Sequence, residues 1–415
     1  MPLSISFFRF FSILTMAQFF LPIVFENLFF PLDRKYFYFL GWVTALLFFH
    51  PRIFKMQRLF PIYFFAAWYF ILIYFEIFEV DFSWIQGELE SLFFAVIMLQ
   101  YFLIRDVKWL KPLMVIVFGF IVVTIFTTIV GLQSYPDAAR DLGGGLAARG
   151  DFALIEFYRS IGIAGYDFFY GLAFVLPALL ALVKLKTNKT NLRIVRIGLF
   201  LTIVLIVLSI LKAQFTTAFL FAVTGSVMAF WTDEKIRPTL LKLTALLLVV
   251  VFFPKDLIGD LIYSFSRMLD EGIIQRRLTD LSATLIYGLG EKKNHIDSRF
   301  ARIPFLLDNF FRSPLVGKGI SLGHNWLMDR LSMFGLAGVL PWGLLLWFLT
   351  KYNLKLFFER TRIYYLIVII LWITMGLIKN MGHQLTMIFL FFIIPSLLIV
   401  KDQLRLEIKN KSSAG

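Results

Sequence analysis

The sequence predicts an all-α polytopic membrane protein of about twelve transmembrane helices, with both termini on the cytoplasmic side. Three observations lead there. The 415 residues are 59% hydrophobic, with a mean hydropathy of +0.80 and 51 phenylalanines, which is more apolar than a soluble core of this length needs. Apolar runs long enough to cross a bilayer recur along the chain, and in hydrocarbon such runs have to be helical because the backbone must satisfy itself. Lys and Arg cluster in alternate connections between those runs.

In chain order the expected spans are 7–30, 36–49, 59–80, 84–104, 110–133, 165–183, 194–214, 217–231, 238–254, 326–349, 363–379 and 384–400. The first run is too long for a secretory leader and has no small-residue cleavage site before Asp33, Arg34 and Lys35, so it reads as a retained helix. With the N-terminus inside, the cytoplasmic segments are 50–58, 105–111, 184–196, 232–237, 350–362 and the tail from Lys401. They carry about half of the 41 Lys and Arg residues. The four short outer loops carry only Arg34, Lys35 and Lys379. Topology and anionic lipid therefore account for most of the +14 net charge, and no nucleic-acid partner is expected. With no cysteine, the chain has no disulfide, no thiolate metal site and no thiol nucleophile.

Residues 1–415 read as one membrane domain, with two outer segments that are long and polar, 134–164 and 255–325. The second mixes both charge signs. Its first half spaces Ile258, Leu261, Ile262, Phe265, Leu269, Ile273, Leu278, Leu281 and Leu285 as on helices lying at a membrane surface.

The most informative stretch reads Arg299-Phe-Ala-Arg302, then Ser313-Pro-Leu-Val-Gly317-Lys-Gly319, then Gly323-His324-Asn325-Trp326-Leu327, running into Gly335-Leu-Ala-Gly338. In order and spacing it resembles the signature of the O-antigen ligase and O-antigen polymerase superfamily. The stretch Tyr135-Pro136-Asp137-Ala-Ala-Arg140, followed by Gly162-Ile-Ala-Gly165-Tyr166, is similar to the first large outer loop of Wzy-type polymerases. A family Ser-Arg pair that leads a mid-chain helix is replaced here by Ser209-Ile-Leu-Lys212-Ala-Gln214, with Lys212 in the arginine's place.

The resemblance implies a GT-C-like enzyme of the bacterial inner membrane whose active site faces the periplasm. It would move a glycan from undecaprenyl diphosphate to a sugar hydroxyl, without cofactor or metal. Its partners would be undecaprenyl-diphosphate-linked oligosaccharides, membrane lipids and a chain-length regulator protein. Such a transfer needs cations on the diphosphate, for which arginine suits by binding phosphate oxygens bidentately, and a base for the acceptor hydroxyl. His324 is the expected base and Arg299 its catalytic companion. Arg140, Arg159, Tyr166, Lys212, Arg276, Arg277, Arg302 and Asn325 are the expected binding residues. Direct attack on an α-linked donor inverts the anomeric centre.

Each candidate also has a plain structural reading. A histidine at the mouth of a helix is often a cap, Arg276 and Arg277 suit lipid headgroups or a pair with Asp280, Arg299 and Arg302 can pair with Asp297, and Lys212 can snorkel. Glu88 and Glu90, at the outer start of the fourth span, read as solvated. Two rivals share the hydropathy. A ligase would use lipopolysaccharide core as acceptor; a flippase would be expected to line several mid-membrane spans with charge, which these nearly charge-free runs do not.

Overall fold

The computed structural model describes residues 3–24, 34–55, 57–80, 83–142, 150–185, 190–232, 255–269, 272–287, 302–323, 325–377, 379 and 384–412. The expected span 238–254, Gly143 to Gly145, Arg299, His295, His324 and His383 lie outside the described residues. Among the described residues the chain is helical throughout, with no strand. The helices are α1 Leu3–Phe20, α2 Arg34–Phe49, α3 Phe60–Tyr74, α4 Ser83–Arg105, α5 Leu110–Ser134, α6 Phe152–Ser160, α7 Tyr166–Val183, α8 Thr190–Lys212 and α9 Thr216–Trp231. They continue with α10 Lys255–Ser266, α11 Ile273–Tyr287, α12 Arg302–Arg312, α13 Trp326–Leu356 and α14 Glu359–Gly376. Last come α15 Gln384–Ile388 and α16 Ile394–Ser412, joined by one π turn, Phe389–Ile393.

Among the described residues, five segments are long and apolar enough to cross a membrane: Ile85–Arg105, Val107–Ser134, Tyr166–Val183, Trp326–Leu356 and Leu385–Glu407. Ile5–Phe20, Phe60–Tyr74 and Thr216–Trp231 are shorter apolar helices. Their surroundings differ. The most apolar windows of Tyr166–Val183 and Leu385–Glu407 are 78% and 94% buried, against 39% for Val107–Ser134, so the first two form the centre and the third faces outward on one side. Exposed Phe48, Phe64, Val115 and Trp347 make the outer surface as apolar as lipid tails.

Between apolar surfaces in lipid there is little transfer gain, so close fit and polar ties must hold the helices together. At the centre the fit comes from Gly171, where a Cβ would lie 2.0 Å from the Phe389 ring, letting α7 seat the π turn. Polar ties gather one set of helix ends. Arg9 grips Asp106 with two bonds, at 2.6 and 2.9 Å, and lies 4.5 Å over Trp109. Arg58 donates to Gln100 at 2.8 Å and sits 5.6 Å over Tyr352. Lys184 donates to the carbonyls of Ala229 and Phe230, and Asp402 accepts from the Phe358 amide and the Thr361 hydroxyl. The opposite helix ends carry the polar segments on which the sequence placed its chemistry.

Candidate functional site

The site is organised by a break in α13. Gly335 has φ 55° and ψ −159°, a conformation that interrupts the helix and that only glycine adopts without strain. A break frees four backbone groups, the carbonyls of Ser332 and Met333 and the amides of Leu336 and Ala337, which inside a membrane must find partners. The segment Pro314 to Gly319 supplies all four. Leu336 N–H donates to the Pro314 carbonyl at 2.9 Å and Ala337 N–H to that of Leu315 at 2.8 Å. Lys318 and Gly319 donate to the carbonyls of Ser332 and Met333 at 2.7 and 3.2 Å. The segment is stitched into the helix ladder. Its glycines permit the approach, since a Cβ on Gly317, itself at φ 74°, would lie 2.4 Å from the Met333 carbonyl.

The mouth of α13 is equally constrained. Asn325 caps the helix, its Oδ1 accepting from Met328 N–H at 3.3 Å, while its Nδ2 donates to the Leu377 carbonyl. Trp326 N–H donates to the Lys379 carbonyl at 3.1 Å, and Lys379 Nζ lies 5.6 Å over the Tyr166 ring. One turn into the helix, buried Asp329 accepts from Leu322 N–H at 2.7 Å and from Asn325 N–H at 2.9 Å.

Beside Asp329 lies a charged pair the sequence did not announce. Arg330 and Glu88, 5% and 3% exposed, form a salt bridge through Arg330 Nη2 and Glu88 Oε1, to which Trp326 Nε1 also donates at 3.3 Å. Glu88, expected to be solvated, is therefore buried, because α4 turns it toward the first half of α13 rather than toward water. The guanidinium sits 5.0 Å from the Trp326 ring and 5.1 Å from the Trp342 ring, and among the described residues its Nε and Nη1 have no hydrogen-bond partner. Indole faces take the place of acceptors. Arg330→Lys keeps the charge but loses the stacking plane, and is expected to lower stability by roughly 1–2 kcal/mol in a detergent thermal-shift measurement.

Of the expected residues, contacts tie Asn325 and, through Lys379, Tyr166 to this mouth, and the others lie on neighbouring segments. Tyr166 opens α7, its ring tilted against that of Tyr170 at 4.3 Å and meeting Phe215 edge-on at 5.7 Å. Lys212 ends α8 with its side chain exposed, the snorkelling arrangement, and Gln214 two residues on packs against Gly272 at the start of α11. On α11, Arg276 is exposed and Arg277 lies 3.9 Å from Asp280. The first outer segment folds back onto α5, with Thr127 Oγ1 donating to the Gly162 carbonyl at 2.8 Å and Ala164 N–H to Thr128 Oγ1 at 2.9 Å. Leu142 lies against Gly165, which brings the exposed Arg140 to the Tyr166 end of the bundle. Arg159 closes α6 beside Tyr158, whose phenol is pushed above its ordinary value by burial, with Asp141, Asp151 and Asp137 adding to the effect. Arg302 begins α12, which packs against α13.

No group of three or more His, Asp or Glu side chains able to hold a metal ion occurs among the described residues. No protein-family model matches this chain, and no curated protein matches it.

Proposed function

We propose that the chain is a membrane glycosyltransferase, a polymerase that moves an oligosaccharide from one undecaprenyl diphosphate onto the terminal sugar of a second lipid-linked repeat unit. The observation that carries this reading is the stitched break of α13, in which the same residues that resemble the superfamily signature build a fixed helix mouth with Tyr166 and Lys379 around it. The string of glycines thus has a physical purpose beside a cationic, aromatic surface.

In this mechanism Arg299, with Arg302, Arg276, Arg277, Arg140, Arg159 and Lys212 as further cations, holds the diphosphate as negative charge grows on it. His324 takes the proton of the acceptor hydroxyl while that oxygen bonds to the anomeric carbon. The bond from that carbon to the diphosphate breaks, undecaprenyl diphosphate leaves as the anion, and the anomeric configuration inverts. The proposal places about twelve crossings in the bacterial inner membrane, with the Arg9, Arg58 and Lys184 end in the cytosol and the helix mouth outside, as the distribution of Lys and Arg supports. A chain-length regulator protein is the expected partner.

Two experiments test it. Because the chain has no cysteine, single cysteines report sidedness without background. An impermeant maleimide on intact spheroplasts is expected to label Asp308→Cys and to spare Lys351→Cys until lysis; the reverse pattern contradicts the topology. Deletion of the gene is expected to leave surface glycan of a single repeat unit, whereas full-length lipid-linked chains left unattached would make the protein a ligase instead.

A further inference from the structure

The break bends α13 back on itself, and polar groups gather in the crook. Trp326 and Trp342 would stand about 24 Å apart along a straight helix, yet their ring centroids are 6.2 Å apart. Arg330 lies within 5.0 and 5.1 Å of those rings, and Trp372 of α14 closes on Trp326 at 5.2 Å. From α4 comes Glu88, and from α3 comes Tyr69, whose hydroxyl lies beside Arg330 without closing a hydrogen bond to it. The ion pair is half-made. Glu88 Oε1 accepts from both Arg330 and Trp326, whereas Oε2 accepts from nothing among the described residues, and the guanidinium gives neither Nε nor Nη1 an acceptor there. A dry Arg–Glu pair gains by closing both bonds of the fork, and this one leaves the second open. Tyr69 Oη, Trp342 Nε1 and Trp372 Nε1 complete a set of six buried polar atoms without a partner among the described residues, on side chains no more than 5% exposed.

We propose that this crook is a water-binding site, in which a small group of ordered waters bridges Glu88 Oε2 and the open edge of Arg330 to Tyr69, Trp342 and Trp372. The set offers both kinds of partner. Nε, Nη1 and the two indole N–H groups donate, Oε2 accepts and the hydroxyl does either, so each water finds the two to four partners that hold one in place. The indole faces meet the plane of the guanidinium; water meets the hydrogens along its edge. A bound anion suits the crook less, because Glu88 already cancels the charge of Arg330. Charged ground of this kind persists inside a lipid-embedded bundle where it faces water rather than hydrocarbon. The inference concerns the packing of α3, α4, α13 and α14 and stands apart from the glycan-transfer reading.

The test is radiolytic hydroxyl labelling of full-length protein in lipid nanodiscs, read by mass spectrometry, because radicals formed from a bound water oxidise the side chains that hold it. Trp42 and Tyr365 are matched controls. Both are fully buried, but Trp42 Nε1 donates to Ser12 at 3.2 Å and the Tyr365 hydroxyl is bonded to Asn353 and to the Leu390 carbonyl. In the wild type, Trp342 and Trp372 are expected to be oxidised about tenfold or more faster than Trp42, and Tyr69 faster than Tyr365 by a similar factor. Glu88→Leu combined with Arg330→Met removes both charges at similar volume, a replacement that commonly leaves a fold intact. In that double variant the three rates should fall to those of the controls. Wild-type rates equal to the controls would show a dry crook and overturn the proposal, and this comparison decides alone if the variant fails to fold. Fast oxidation that persists in a folded double variant would overturn it too, since water would then enter without the pair to hold it.

Discussion

Gly335→Ala is expected to cost about 3–5 kcal/mol, a large share of a typical margin of roughly 5–15 kcal/mol. Two penalties add. The backbone conformation at φ 55° and ψ −159° is strained for any residue with a Cβ. The added methyl would also lie 2.6 Å from the carbonyl carbon and oxygen of Leu315 and 2.7 Å from Gly317 N, all backbone atoms that cannot rotate away. Relief requires pushing the 314–319 segment out of the break, which strands the four backbone groups it satisfies. Gly343→Ala, in the same helix with nothing within 4 Å of its Cβ, should be neutral or stabilising by up to about 1 kcal/mol. Folded yield by size exclusion and unfolding in mixed micelles measure both. Equal behaviour of the two variants would mean the break is not a built feature.

His324→Ala is expected to slow glycan transfer by about 10²–10⁴-fold while expression and binding of the lipid-linked donor stay close to wild type. The proposed base acts on the acceptor hydroxyl, whereas the donor is held by arginines elsewhere on the surface. Steady-state transfer, with donor binding measured separately, checks both parts. A fall in donor affinity with turnover preserved would make position 324 a binding residue.

Much of the fold was legible in the sequence. Apolar runs such as 84–104, 110–133 and 165–183 match α4, α5 and α7 within a residue or two, because length and hydropathy alone dictate a helix in lipid. The glycine-bearing motif from Ser313 to Gly338 was visible as a pattern, but not its geometry. That Gly317 and Gly335 face each other across a helix break follows from a tertiary insertion that no local spacing encodes. Glu88 was misread for the same reason. A single carboxylate near the end of an apolar run looks interfacial until its partner, Arg330, more than two hundred residues away, is in place. Asp329 gave no signal at all, since an acid in the first turn of a helix is ordinary dipole chemistry and only the two amides it accepts from distinguish it. Span 59–80 was drawn too long: α3 stops at Tyr74 and the chain turns at Glu76, with φ 54°.

Purified wild-type protein in nanodiscs, given a fluorescent undecaprenyl-diphosphate oligosaccharide as both donor and acceptor, is the most direct measure of the central claim. A ladder of glycans growing by whole repeat units is expected, with one undecaprenyl diphosphate released for each new glycosidic bond. A donor that is neither bound nor consumed by folded protein would contradict it.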